Sequence, residues 1–332
     1  MTAMIKVGIV GSTGYTAREL FRILDRHPRV TLTKASSRLE SPTPLYKIHP
    51  SLVGSRDLLV EDLSPKEVAT DVEVVFCCLP HRESALRIPE MINSGARVVD
   101  LSADYRLNEA ATFEKWYDTK HPDPDRVPLT IYGMPEFFAQ EIRSAQLVAN
   151  PGCYPTSAIL ALAPFLKEKI VSPAGLIIDS KSGVTGAGRS PKQETLFSEC
   201  NETLTAYGVG THRHLPEIEQ ILGNIIEDKV ETLFTPHLVP MNRGILTVAY
   251  APLIDKRKTE AELLAFLKDF YQNSPFVRIV TELPTTKNVT NTNYCEITVR
   301  KTGGYLTILS VIDNLIKGAA GTAVHNMNLM FG

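Results

Sequence analysis

Little in this chain points to a membrane, a nucleic acid or an oxidising compartment. No apolar stretch in its 332 residues approaches the ~18 that a membrane-spanning helix needs. Lysine plus arginine (35) nearly balance aspartate plus glutamate (37), for a net charge of -2. A chain without a basic surplus is not built around a polyanion, so nucleic acid and anionic membranes are excluded as main partners. Cysteine is scarce and odd in number: Cys77, Cys78, Cys153, Cys200 and Cys295. No two stand at zinc-finger or Cys-x-x-Cys spacing, which reads as reduced thiols, no bound metal and a cytoplasmic protein. A secretory leader is not expected, because Lys6 and its apolar neighbours run straight into a glycine turn. Repeats and low-complexity segments are missing too. The remainder is ordinary globular protein, 43% hydrophobic and 22% charged, long enough for about two domains.

The first third alternates short apolar runs with helical patterns. Ile5–Val10, Val30–Ala35, Val72–Leu79 and Arg97–Leu101 read as buried strands. Arg18–His27 carries Leu20, Ile23 and Leu24 at helical spacing, and Glu83–Ser94 reads as a helix stopped by Gly95. Strand–helix alternation implies parallel β-α-β units and a doubly wound α/β sheet of the Rossmann type. From Leu176 the runs lengthen and several alternate apolar with polar: Leu176–Ser180, Val230–Val239, Ile245–Leu253, Phe276–Leu283, Tyr294–Arg300 and Tyr305–Ile312. That pattern suits an α+β domain with a mostly antiparallel sheet. Thr259-x-x-Glu262 is a capping-box start for a helix to Gln272, and Asn314–Met330 reads as a last helix. The expected division is 1–152, completed by 314–332, and 153–313.

Between the first strand and the first helix stands Gly11-Ser12-Thr13-Gly14-Tyr15. Glycines there let the backbone turn tightly and approach a pyrophosphate resting on the helix N-terminus. The spacing departs from Gly-x-Gly-x-x-Gly, so position after a strand and before a helix carries the reading. The second strand ends in Ser36-Ser37-Arg38, without the acidic residue that holds a ribose 2′-hydroxyl. Small hydroxyls and a guanidinium suit a 2′-phosphate, hence NADP(H) over NAD. Leu79-Pro80-His81, after the third strand, borders the same expected cleft.

Asn150-Pro151-Gly152-Cys153-Tyr154 puts one cysteine at the start of an apolar helical run. The positive end of the helix dipole favours the thiolate, and a thiolate suits covalent attack on a carbonyl. A nucleophile of this kind wants a proton-transfer partner. Of the eight histidines, His212 and His214 stand out, flanking Arg213 in a loop that leads into a helix. The cluster suits an anionic substrate and proton transfer near neutral pH. A second glycine loop, Gly183-Val-Thr-Gly-Ala-Gly-Arg189, can nest an anion. Arg106 follows the fourth strand, at the carboxyl edge where ligands of such sheets bind. Asp100 and Asp104, beside it, read as caps of backbone groups.

Taken in order, these segments resemble the N-acetyl-gamma-glutamyl-phosphate reductase family of the wider semialdehyde dehydrogenase group. The likeness runs through Asp100-Leu-Ser-Ala-Asp-Tyr-Arg106, Tyr132-Gly-Met-Pro-Glu136, Asn150-Pro-Gly-Cys-Tyr-Pro-Thr156 and His212-Arg-His-Leu-Pro-Glu217. It continues in Val239-Pro-Met-Asn-Arg-Gly244 and Gly318-Ala-Ala-Gly-Thr-Ala-Val-His-Asn-Met-Asn328. Ala17 stands where many relatives have glycine, an accepted small residue for helix–strand packing. The resemblance implies reduction of N-acetylglutamyl 5-phosphate to its semialdehyde, in arginine biosynthesis, through a Cys153 thioester. It implies proton transfer by His212 or His214, anion contacts from Arg106, Arg189 and Arg213, and a substrate contact from Asn150. Ser182, Gly183 and Asn314 join the cofactor contacts, and a homodimer or homotetramer is implied.

The nearest alternatives are reductases of the same group acting on carrier-bound aminoadipyl phosphate or aspartyl phosphate. From another class comes an NADP-binding thiol redox sensor, against which the His-Arg-His loop and the two glycine loops speak. The 2′-phosphate reading makes one prediction: Arg38→Ala raises the KM for NADPH far more than that for NADH. Steady-state kinetics with both cofactors check it, and equal effects refute the role.

Overall fold

In the computed structural model, residues 4–54 and 57–332 are described. The chain divides into two compact units, Met1–Pro151 with Ala319–Gly332, and Gly152–Gly318. The first holds β1 (Ile5–Val10), β2 (Val30–Ser36), a small hairpin of β3 (Thr43–Pro44) and β4 (Leu59–Val60), then β5 (Val74–Cys77), β6 (Arg97–Asp100), β7 (Ile131–Tyr132) and β8 (Leu147–Ala149). Six of these form a sheet in the order β2-β1-β5-β6-β8-β7. Every neighbouring pair is parallel.

Both faces of this sheet are covered, as parallel sheets require. Val74 and Phe76 face one buried cluster with Leu20, Phe21, Ala323 and Met327. Their neighbours Val75 and Cys77 face another with Ile88 and Met91. The last helix, Gly321–Phe331, thus belongs to this unit, where Asn326 Nδ2 donates to Gly133 O at 2.9 Å. It follows a π-helical stretch, Ile316–Ala320, so the helix expected from Asn314 is not α-helical at its start. The helix expected over Glu83–Ser94 begins only at Ile88, with Pro89 in its first turn. Proline is accepted there because the first N–H groups have no intrahelical acceptor to lose.

The second unit is a seven-stranded sheet: β9 (Leu176–Gly183), β10 (Thr205–Ala206), β11 (Thr232–Val239), β12 (Ile245–Pro252), β13 (Val277–Ile279), β14 (Cys295–Thr302) and β15 (Tyr305–Ile312). The order is β10-β11-β9-β12-β15-β14-β13. Four pairs are antiparallel. The β9–β11 and β13–β14 pairs are parallel, so the sheet is mixed. A parallel pair needs a crossover, and the helix Leu215–Ile226 supplies the one between β9 and β11. Against the sheet lies the helix Cys153–Lys167, buried from Tyr154 to Leu166. It is apolar all round, the composition of a helix enclosed on every side. Ser157 Oγ meets Thr247 Oγ1 at 2.6 Å, and that hydroxyl meets Ser180 Oγ at 2.8 Å, which satisfies the polar atoms this packing buries.

The helix Glu260–Phe270 opens with a complete capping box: Thr259 Oγ1 accepts from Glu262 N at 3.2 Å, and Glu262 Oε2 accepts from Thr259 N at 2.6 Å. Thr259→Ala removes half of it and is expected to cost about 1 kcal/mol, read from urea unfolding against wild type.

Candidate active site

In the first unit, the glycine turn is held by its own chain. Gly11 N and Ser12 N both donate to Ser36 O, at 2.9 and 3.1 Å, and Ser12 Oγ donates to Ile9 O at 3.1 Å. Gly11 has φ +80°, and a Cβ there would collide with the Cys78 carbonyl. Only glycine meets both conditions. The helix Tyr15–Leu24 begins after Gly14 with no side-chain cap on its first N–H groups. An uncapped helix start behind a tight glycine turn fits a dinucleotide pyrophosphate. Thr13 Oγ1 lies 3.4 Å from Ser37 Oγ, so the turn also reaches the end of β2. Arg38, beyond it, pairs with Glu83 at 2.8 Å while largely exposed. An exposed pair of this kind is worth little, so it holds Arg38 only weakly. Leu79 is half-buried and Pro80 exposed, just past β5.

At the carboxyl edge of the same sheet, Arg106 is buried. Its Nε donates to Asn150 O at 2.8 Å and its Nη2 to Leu101 O at 2.9 Å. Asn150 Nδ2 donates to Ala319 O at 3.2 Å. Arg106 and Asn150 therefore hold the ends of β6 and β8 together. Asp100 accepts from Ser102 N at 3.0 Å and Ser102 Oγ at 2.7 Å, and Asp104 accepts from Arg82 N at 2.8 Å and Ala85 N at 3.0 Å. Both do the backbone work expected of them. Burial, reinforced by the nearby Asp104 charge, pushes Asp100 up to about 7.

Cys153 opens the buried helix of the second unit, behind Gly152, whose extended backbone (φ -68°, ψ 155°) offers no side-chain cap. The sulfur therefore sits beside the positive end of the dipole. Opposite lies Gly318, where a Cβ would come 2.8 Å from Cys153 Cβ. The absent side chain at 318 lets the π-helical turn approach the cysteine. Cys153 is half-buried, whereas Cys77 and Cys295 are buried: burial pushes the Cys77 thiol well up, and Cys295 lies 3.3 Å from Ser310 Oγ.

The histidines gather around the next residue. Tyr154 makes edge contacts with His212 (5.5 Å between centroids) and His214 (5.8 Å). The two imidazoles stand 4.9 Å apart, and Tyr207 and Phe234 complete an aromatic wall around His212. His212 Nδ1 accepts from His214 N at 3.0 Å. Protonation would destroy that bond, and burial followed by the Arg213 charge lowers His212 to about 4. His212 is thus a neutral imidazole carrying its proton on Nε2 near neutral pH. Arg213 and Arg189 are exposed. Ser182 and Gly183 are buried at the end of β9, where a Cβ on Gly183 would meet Met241 O at 2.7 Å. Asn314 is buried, accepts from Gly244 N at 2.8 Å and donates to Thr185 Oγ1 at 3.0 Å, so it ties the second glycine loop to the turn after β11.

Sequence reasoning passed over Glu217. It is buried, and its Oε1 accepts the N–H of Gly152, the residue before the cysteine, at 2.8 Å. The only sequence signal was its place at the end of the His-Arg-His-Leu-Pro-Glu segment.

Known proteins resemble this chain in sequence and in fold. Residues 6–145 match the family model "Semialdehyde dehydrogenase, NAD binding domain", and residues 153–314 match "Semialdehyde dehydrogenase, dimerisation domain". A protein named N-acetyl-gamma-glutamyl-phosphate reductase from Rhodopirellula baltica is 48% identical over 99% of this chain and 96% of its own. Its namesake from Moorella thermoacetica is 46% identical, with the same shares covered. The chain belongs to the N-acetyl-gamma-glutamyl-phosphate reductase family. The fold is shared more widely than this reductase family. An aspartate semialdehyde dehydrogenase II from Vibrio cholerae superposes with a TM-score of 0.74 at 16% identity, covering 99% of each chain. The aspartate semialdehyde dehydrogenase with NADP from Candida albicans gives 0.70 at 12%, again covering 99% of each.

Glu217→Ala leaves the buried Gly152 N–H without this acceptor and is expected to lower stability by about 1–3 kcal/mol. Glu217→Gln keeps an acceptor oxygen and recovers most of the loss; chemical denaturation of both variants is the check.

Proposed function

We infer that this chain reduces N-acetyl-gamma-glutamyl phosphate to N-acetylglutamate 5-semialdehyde with NADPH, releasing phosphate, as a step of arginine biosynthesis. The observation that carries the reading is Cys153 at an uncapped helix start with two histidines packed about Tyr154, in a chain 48% identical to a reductase of that name. The proposed cofactor residues are Gly11, Ser12, Thr13, Gly14, Tyr15, Ser36, Ser37, Arg38, Leu79 and Pro80. Ser182, Gly183 and Asn314 are proposed as further contacts. NADPH, when bound, supplies hydride.

The rest of the chemistry belongs to the chain's own groups. The Cys153 thiolate attacks the acyl carbon, the bond from that carbon to the phosphate oxygen breaks, and a thioester remains on Sγ. After reduction, the oxyanion of a thiohemiacetal on Cys153 collapses, the C–S bond breaks and the aldehyde leaves. We assign the proton transfers to His214. His212, neutral and tied through Nδ1, turns its Nε2–H donor to a substrate oxygen. Arg189 and Arg213, both exposed, are assigned to the substrate's carboxylate and phosphate. Arg106, bonded to the Asn150 and Leu101 carbonyls, and Asn150, bonded to Ala319 O and the Asn326 side chain, are assigned to shaping the turn before Cys153. The dimerisation-domain match supports a homodimer or a homotetramer, and five cysteines with no disulfide among the described residues support the cytoplasm.

The test runs in reverse. N-acetylglutamate semialdehyde should reduce NADP only with phosphate or arsenate present, and aspartate semialdehyde should not replace it; phosphate-independent reduction defeats the proposal. Cys153→Ser should lose at least ~1000-fold in turnover while still binding NADP in a fluorescence titration. His214→Gln should remove an ionisation from the pH–rate profile, which His212→Gln leaves in place.

A further inference from the structure

Of the histidines outside the Cys153 cluster, His49 makes a bond that no sequence pattern announces. Next to Pro50 it looks like a turn residue, yet it is buried at 3% exposure. Its Nε2 lies 2.7 Å from the carbonyl oxygen of Ser12, 37 residues earlier, in the glycine turn. A carbonyl only accepts, so Nε2 carries the proton and donates. The ring also packs against Phe21 of the helix that the turn opens, at 6.4 Å between centroids.

The segment that carries His49 is itself anchored to the sheet. β3 and β4 pair with each other, Glu61 N donates to Ala35 O at 3.1 Å, and Ser37 N donates to Glu61 O at 3.0 Å. Within the segment, His49 N donates to Leu45 O at 2.9 Å. The imidazole is thus held by structure built around the end of β2.

We propose that His49 is a positioning residue for the dinucleotide turn: by holding the Ser12 carbonyl inward it orients the following amide outward. A trans peptide is planar, and its C=O and N–H point in opposite directions. With Ser12 O directed at His49, the N–H of Thr13 is directed away from it. Ser12 is then fixed at three atoms, through its N–H to Ser36, its hydroxyl to Ile9 and its carbonyl to His49. Releasing the third frees the Ser12–Thr13 peptide to rotate, and the turn loses the fixed shape it presents to the dinucleotide. This inference rests on the reading that the turn binds NADP(H).

The experiment compares wild type, His49→Phe and His49→Gln by fluorescence titration with NADPH in the absence of substrate. Phe keeps the ring against Phe21 without the donor; Gln restores an N–H near the Nε2 position. Phe should weaken NADPH binding about tenfold, the equivalent of one hydrogen bond. Gln should stay within about threefold of wild type, and kcat at saturating NADPH should be unchanged in both. Equal affinities in all three proteins, or equal losses in Phe and Gln, overturn the proposal. Failure of wild type to bind NADPH overturns the cofactor reading instead. If His49→Phe does not fold, 15N-histidine spectra of wild type decide: a protonated, exchange-protected Nε2 that shifts on adding NADPH supports the role, and a solvent-exchanging or unresponsive Nε2 overturns it.

Discussion

A buried carboxylate oxygen of Glu217 accepts the backbone N–H of Gly152 at 2.8 Å, and the arrangement around Cys153 hangs on that bond. It joins two chain segments 65 residues apart, the start of the cysteine's helix and the start of the crossover helix Leu215–Ile226. The crossover exists because β9 and β11 are parallel and their connection must pass over one face of the sheet. His212 and His214 immediately precede that helix, so docking it through Glu217 also docks the imidazoles beside Tyr154. Neither Glu217 nor Gly152 has water to fall back on, which makes this bond costly to lose.

The same low-dielectric surroundings sort the two histidines. His212 is walled by Tyr154, Tyr207 and Phe234 and spends Nδ1 on a backbone N–H, so its neutral form dominates. Two residues of equal chemistry stand only two positions apart in sequence, both against Tyr154. Burial also acts on Asp100 in the first unit, pushed up to about 7, while its short bonds to Ser102 hold the strand end. In both places a titratable group serves the backbone first.

Much of the α/β architecture was legible because buried strands of a parallel sheet are continuous apolar runs. Ile5–Val10 matches its expected bounds, and β2, β5 and β6 fall within a residue or two of theirs. β7 and β8 went unread because two or three residues cannot show a period. They are defined by pairing with a neighbour, which is a tertiary fact. The parallel pairings of β9 and β13 escaped for the same reason, since alternation along one strand does not say which way its partner runs. The strand expected over Phe276–Leu283 shrank to Val277–Ile279, the stretch that finds a ladder partner in β14. His237 sits in β11, within the run Val230–Val239 that reads as a strand.

The candidate residues divide along the same line. Residue chemistry and local spacing alone pointed to the glycine turn, the absence of an acid after β2, and a cysteine at a helix start. Those properties depend on neighbours within about one turn of the chain. Only the folded structure showed that Arg106 spends its guanidinium on the Asn150 and Leu101 carbonyls, that Glu217 holds Gly152, and that His49 reaches Ser12. Apart from the local Arg106–Leu101 contact, each of those facts is a long-range hydrogen bond, decided by which distant segments packing brings into contact, and no sequence pattern encodes the partner.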